Sequence, residues 1–223
     1  MIRFARLALF AAALAACSPA AQSQERARVA PVPAVDAGAA EGLQTAVLAG
    51  GCFWGMEGVF EHVRGVRSVR SGYSGGTLAN PSYEAVSSEA TGHAEAVEIV
   101  YDPRVVSFGQ LLRIYFSVAT DPTQLNRQGP DTGTSYRGNI FATNAEQARV
   151  ARAYIAQLTA AHFYTAPIVT RVDMLTRFWP AEDYHQNFLD RNPTYPYIVF
   201  NDPPKVRNLQ RLFPELYVAA SAG

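Results

Sequence analysis

Apolar positions switch between two periods along this chain, and the switches mark out its elements. "TAVLAGG" (45–51) is a short apolar run stopped by two glycines, as in a strand. Phe53, Met56, Phe60 and Val63 then recur at three- and four-residue steps, a helical stripe, with Glu57, Glu61 and Arg64 on the opposite side. Residues 66–72 read as a strand and "SGYSGGTLANPSYEAV" as a glycine-rich loop. "HAEAVEIVYDP" is a strand closed by Asp-Pro. Ser107 with Gln110 predicts a capping box ahead of a helix carrying Leu111, Leu112, Tyr115 and Val118. "DPTQLNRQGPDTGTSY" is a long polar loop, "RGNIFAT" a strand, and Asn144 with Gln147 the cap of a helix to about Ala161. "APIVTRV" is a further strand, and Pro180 suits the first turn of a last helix near 180–190. Alternating strands and helices predict an α/β (α+β) two-layer sandwich.

The first residues stand apart from that pattern. In "MIRFARLALFAAALAA" (1–16), Arg3 and Arg6 precede an apolar run far short of the roughly 20 residues that cross a bilayer. That is a secretory signal peptide. "Leu14-Ala15-Ala16-Cys17" resembles the bacterial lipobox, which implies a lipid on Cys17 as the new N-terminus; Ser18 after it, in place of Asp, leans toward the outer membrane. Residues 17–44 are rich in Ala, Pro and Gln without apolar periodicity, and read as a lipid-anchored flexible linker. The domain spans 45–217 and a tail 218–223. The expected location is the periplasm, with the exported protein anchored to the outer membrane by the N-terminal lipid alone.

Composition narrows the function classes. Nineteen basic residues face nineteen acidic ones, and loss of Arg3 and Arg6 leaves 17 against 19, so no nucleic-acid partner is indicated. Four scattered histidines and no CxxC or HxxxH spacing leave no metal-ligand set. The glycine stretches lack the lysine of a phosphate loop. The two cysteines are Cys17 and Cys52. With Cys17 carrying lipid, Cys52 is the sole thiol, and a disulfide scaffold is excluded.

Cys52 falls where the first strand turns into the first helix. Backbone N–H groups and the positive dipole end there favour the thiolate, and Gly50, Gly51 and Gly55 leave backbone room around the sulfur. Alternation in 93–101 puts His93, Glu95, Val97, Ile99 and Tyr101 on one core-like face. Burial there would raise the Glu95 pKa and let it act as an acid, although an edge position or a salt bridge fits the pattern equally. Tyr83, Tyr136 and Asp131 lie in the two long loops, where phenols either donate to a substrate oxygen or cap the core. Phe53 and Trp54 line an apolar pocket or, for Phe53, join the core.

Together "GGCFWGME", "GYSGGTLANPSYEAV", "TGHAEAVEIVYDP", "DPTQLNRQGPDTGTSYR" and "EDYHQNFL" resemble the A-type peptide-methionine sulfoxide reductase family, from about Thr45 to Tyr217. The resemblance implies a ferredoxin-like core with a mixed sheet flanked by helices, a solvent-open basin, no bound cofactor and a monomer. It implies Cys52 as the nucleophile toward the sulfoxide sulfur, Glu95 as the acid, and Tyr83 and Tyr136 as holders of the oxygen. Phe53 and Trp54 would wall the methyl group and Asp131 would order the basin. The substrate would be the S epimer of methionine sulfoxide, free or in proteins. Two departures stand out. The tail "YIVFNDPPKVRNLQRLFPELYVAASAG" lacks the recycling cysteines that many members carry, so an external thiol, a thioredoxin-like protein or a small thiol, would resolve Cys52. Thr120 also stands where His is common. A cysteine hydrolase is the rival enzyme and needs a base among His62, His93, His162 and His185. A non-catalytic module that binds methionine sulfoxide is the rival without chemistry.

Overall fold

The structure, a computed structural model, describes residues 27–38, 40–201 and 203–219. Its strands are β1 (Gln44–Ala49), β2 (Val66–Ser74), β3 (Ala94–Tyr101), the two-residue β4 (Arg127–Gln128) and β5 (Asp131–Thr132), β6 (Asn139–Ala142), β7 (Arg171–Met174) and β8 (Phe178–Pro180). Its α-helices are α1 (Phe53–Glu61), α2 (Tyr83–Ser87), α3 (Phe108–Ile114), α4 (Ala145–Ala160), α5 (Phe188–Arg191), α6 (Pro196–Asn201) and α7 (Pro203–Leu212).

The sheet runs β7-β6-β1-β3-β2-β8, while β4 and β5 pair apart as a small ladder. β1 is antiparallel to both β3 and β6, and β2 is antiparallel to β3, which is the ferredoxin-like order. β7 adds in parallel to β6, so the sheet is mixed. Leu48, Val97, Ile99 and Ile140 on one sheet face pack with Met56 and Phe60 of α1 and with Val150 and Tyr154 of α4. The other face is built mainly of small residues, Ala49, Ala94 and Ala96, around Val47 and Phe141. Helices therefore cover one face, and the two-layer expectation holds.

Local signals act as their chemistry requires. Ser107 Oγ accepts from Gln110 N at 3.1 Å while Gln110 Oε1 accepts from Ser107 N at 2.9 Å, a complete capping box for α3. Asn144 Oδ1 accepts from Gln147 N at 2.9 Å and starts α4. Among the described residues no helix is long and apolar enough to cross a membrane.

Four expectations need correction. Residues 27–38 are not a flexible linker. Ala30 is fully buried, its N–H donates to Ser117 Oγ at 2.9 Å, and its carbonyl accepts from Arg113 Nε at 2.7 Å. Asp36 accepts from Ser107 Oγ at 2.5 Å and from Gly109 N at 2.7 Å, so the segment is strapped to the start of α3. The helix near 180–190 is instead β8, a 3-10 turn at Asp183–His185 and the short α5. Pro180 suits an edge strand because β8 lies at the sheet edge, paired with β2. The glycine-rich and polar loops contain α2, the β4–β5 ladder and a 3-10 turn at Thr134–Tyr136. Glu57 and Glu61 do not face solvent: each is 1% exposed, because the returning segment from Asn187 onward covers that side of α1. Cys17 and the signal peptide lie outside the described residues.

Candidate active site

The end of β1 delivers the chain to Cys52 through two glycines whose need is now specific. A Cβ on Gly50 would lie 3.0 Å from both Thr120 Cβ and Tyr115 Cε2. Gly51 has φ +96°, and a Cβ there would lie 2.4 Å from Gln128 Cγ. The room beside these glycines is thus taken by Thr120, Tyr115 and Gln128. Thr120 itself accepts from Gln128 Nε2 at 2.7 Å, which gives this departure from the family pattern a packing role.

Cys52 is the N-cap residue of α1 and 8% exposed, so its sulfur sits at the positive end of the helix dipole. The first helical N–H, on Phe53, donates to Glu95 Oε2 at 2.9 Å. That bond answers the expectation that unpaired N–H groups face the sulfur: the first of them is spent on the carboxyl, and it ties Glu95 to the residue next to Cys52. Glu95 is 3% exposed on the core face of β3, opposite Tyr73 in the β2–β3 register. The edge alternative does not hold, because β3 lies between β1 and β2 in the sheet.

A cavity of about 200 Å³ is lined by Cys52, Phe53, Trp54, Tyr83, Glu95, Asp131 and Tyr136, together with Tyr195 and Tyr197. Every expected site residue of the domain thus meets in one place. Tyr83 is the first residue of α2, and Tyr136 ends the 3-10 turn after β5. Burial pushes both phenols up, and the nearby Glu95 charge adds to it, so both stay protonated and can donate. Phe53 is fully buried and Trp54 half-buried. Trp54 stacks on Phe188 at 3.9 Å between centroids, and its Nε1–H donates to His185 Nδ1 at 3.2 Å. Asp131 is raised by burial, opposed by the Tyr197 hydroxyl that donates to its Oδ2 at 2.5 Å.

Tyr195 and Tyr197 are the site residues that sequence reasoning missed. They meet Trp54 edge-on, at 6.2 and 5.8 Å. Their only local signal is aromatic density in "YPY" within a polar stretch. Two of the four candidate bases of a hydrolase, His93 and His62, are engaged by backbone groups. His93 accepts from Gly76 N through Nδ1 and engages the Leu78 carbonyl through Nε2. His62 engages the Gly58 carbonyl.

A thiol at a helix start, a buried carboxyl bound to the N–H of the next residue and two protonated phenols in the same cavity suit an enzyme that takes an oxygen from sulfur. The peptide methionine sulfoxide reductase family profile matches residues 44–216. Peptide methionine sulfoxide reductase MsrA 2 of Mesorhizobium japonicum is 59% identical over 183 residues, 82% of this chain and 94% of that protein. MsrA 2 of Synechocystis sp. is 51% identical, covering 87% and 92% of the two chains. Among solved structures, methionine sulfoxide reductase A of Corynebacterium diphtheriae is similar with TM-score 0.61 and 36% identity, covering 70% of this chain and 78% of that one. Reduced Mxr1 from Saccharomyces cerevisiae gives TM-score 0.63 and 28% identity over 73% and 91%. This chain belongs to the peptide methionine sulfoxide reductase family. It is an oxidoreductase that returns methionine sulfoxide to methionine, a protein-repair activity.

Proposed function

We propose that Cys52 and Glu95 carry the reaction, with the S epimer as substrate. The carrying observation is the 2.9 Å bond from Phe53 N to Glu95 Oε2, which places the buried carboxyl beside the nucleophile in a shared cavity. The Cys52 thiolate attacks the sulfoxide sulfur. Glu95 gives its proton to the sulfoxide oxygen as the S–O bond yields, and Tyr83 and Tyr136 donate hydrogen bonds to that oxygen. The oxygen passes to Cys52 as a sulfenic acid, and methionine leaves with its sulfur reduced. Phe53 and Trp54 receive the methyl group. With methyl wall and oxygen site both fixed, one configuration at sulfur presents its face to the thiolate. Asp131, held by Tyr197, orders the polar side of the basin.

Cys52 is the sole cysteine among the described residues, so an external thiol completes the cycle. One thiol displaces water from the sulfenic acid to give a mixed disulfide, and a second releases Cys52 and leaves the donor oxidised. A thioredoxin-like protein, supplying both thiols, fits an exported enzyme. The export reading rests on residues 1–17, and an outer-membrane lipoprotein is its specific form. An intact mass of the membrane-extracted protein tests it: a lipid on Cys17 supports the anchor, and an unmodified Cys17 or a start beyond it refutes it.

Mass spectrometry after one turnover tests the chemistry. Cys52 is expected to gain one oxygen with the S epimer, not in Cys52→Ser, and slowly in Glu95→Gln. Equal turnover of the R epimer would overturn the stereochemical assignment.

A further inference from the structure

Two carboxylates outside the cavity each end on the backbone that carries one of its phenols. Glu89 lies just past the end of α2, with its N–H on the Val86 carbonyl and φ +63°, a left-handed conformation. From there its side chain reaches the 3-10 turn that ends at Tyr136. Oε2 accepts from Thr134 Oγ1 at 2.7 Å and from Ser135 N at 3.0 Å, and Oε1 accepts from Ser135 Oγ at 2.5 Å. Gly133 has φ +145°, a conformation that favours glycine, and a Cβ there would lie 2.3 Å from Glu89 Oε1. Arg137 holds the same turn from its acceptor side, with Nη1 donating to the Thr134 carbonyl at 2.8 Å.

Glu182 repeats the arrangement for the other phenol. Its Oε1 accepts from Tyr83 N at 2.9 Å, the first N–H of α2, and its Oε2 accepts from Tyr73 OH at 3.0 Å. Tyr73 is fully buried on β2, so it anchors the carboxylate to the sheet. Glu182 thus fixes where α2 starts, and Glu89, at the other end of α2, fixes the turn of Tyr136. One short helix spaces the two clasps.

We propose that Glu89 and Glu182 are positioning residues for the reduction, each holding one phenol at the sulfoxide oxygen: Glu89 through the Thr134–Ser135 turn for Tyr136, and Glu182 through the start of α2 for Tyr83. Burial works against ionisation of both, but hydrogen bonds outweigh it: from Ser135 and Thr134 to Glu89, and from the Tyr83 and Glu182 backbone and the Tyr73 hydroxyl to Glu182. Both are held below the usual carboxylate range. Each clasp is therefore a charged acceptor throughout the neutral range, and charged acceptors hold their donors with the strongest and most directional bonds. Oxygen transfer depends steeply on where its donors point. Glutamine keeps the shape but removes the charge and leaves a single acceptor oxygen, so a hydroxyl partner, Ser135 Oγ or Tyr73 OH, must turn from donor to acceptor and the charge-assisted bonds are lost.

The inference rests on the assignment of the phenols as oxygen holders, and a double-mutant cycle separates the two. Single-turnover methionine release is measured with a methyl sulfoxide peptide for wild type, Glu89→Gln, Tyr136→Phe and the double variant, and likewise for Glu182→Gln with Tyr83→Phe. Each Glu→Gln change is expected to slow the chemical step about tenfold with KM within about twofold, and to have no further effect once its own phenol is removed. The same loss in both backgrounds would overturn the clasp and leave the phenol's role standing. A Tyr→Phe variant as fast as wild type would overturn that phenol's role and its clasp together. If a Glu→Gln protein does not fold, Thr134→Val and Tyr73→Phe each remove one clasp bond, and the same dependence on the phenol is expected at smaller size.

Discussion

Replacing Glu61 by Gln should change how stability responds to pH more than it changes stability itself. Glu57 and Glu61 stand one helical turn apart on α1, each 1% exposed, and one oxygen of each, Oε1, has no hydrogen-bond partner. Burial raises Glu57 to about 7 from 4.5. Burial, then the charges of Glu57 and Asp190, raise Glu61 to about 8. Both groups are raised in the folded state, so their protonated forms stabilise it. That contribution is complete below about 4.5, the value in the unfolded chain, and is lost as pH rises through about 7 to 8. Ionising Glu57 alone costs roughly 3 kcal/mol at about 1.4 kcal/mol per tenfold in proton affinity. The two costs do not simply add, because part of the Glu61 shift is the Glu57 charge. Glu61→Gln removes one ionisation and frees Glu57 from its like-charged neighbour. Urea midpoints followed by tryptophan fluorescence from pH 5 to pH 9.5 give the comparison. Near pH 6 the variant should match wild type within about 1 kcal/mol, and at pH 9 it should exceed it by about 2–3 kcal/mol. Parallel curves for the two proteins would refute the buried, protonated pair. The same face of α1 is covered by the segment carrying Tyr195 and Tyr197, joined through Asn187 N to Glu57 Oε2 at 3.1 Å. Activity of wild type should therefore fall in the same alkaline range, and fall less in the variant.

Other changes probe other joints. Tyr197→Phe takes away the hydroxyl that donates to Asp131, and should raise KM for a sulfoxide peptide about fivefold while single-turnover release at saturation changes less than twofold; unchanged KM would deny Asp131 its place in the basin. Gly51→Ala meets both a positive φ of +96° and Gln128, and should lower stability by about 1–3 kcal/mol, with Gln128→Ala restoring part of it in thermal melts. Asp36→Ala cuts the strap to Ser107 and Gly109, and limited trypsin digestion should then cleave after Arg28 several times faster; equal rates would mean that other contacts hold 27–38.

Legibility of this molecule in its sequence follows the range of the interactions. Cys52 at a helix start, Glu95 on a core face and the caps at Ser107 and Asn144 depend on neighbours within a few residues, and periodicity finds them. Glu57 and Glu61 defeat the same reasoning. They lie off the apolar stripe of Phe53, Met56 and Phe60, and a helix read alone assigns such positions to water. What buries them is a chain segment some 130 residues later, visible in the Asn187–Glu57 bond and in Leu189 Cδ1, which a Cβ on Gly58 would meet at 2.9 Å. Residues 27–38 fail for the complementary reason. Their Ala and Pro content carries no period, yet their backbone groups find Ser117, Arg113 and Gln157 on helices formed much later.

The site itself lies where these two ranges meet. Cys52 and Glu95 are set by the sheet and by the first turn of α1, which is rigid local structure. The phenols come from a five-residue helix and a 3-10 turn, and elements this short hold a donor in place only if something fixes them. Here the fixing groups are carboxylates, on a turn that favours glycine at position 133 and on a strand edge that Gly72 permits, since a Cβ on Gly72 would lie 2.3 Å from the Trp179 carbonyl. On the proposed mechanism, a rigidly set Cys52 and Glu95 with clasped phenols around them require little rearrangement when the sulfoxide arrives. Cys52 is only 8% exposed and lines the same cavity as the phenols, so on the proposed mechanism the reducing thiol enters where the substrate entered, after methionine has left.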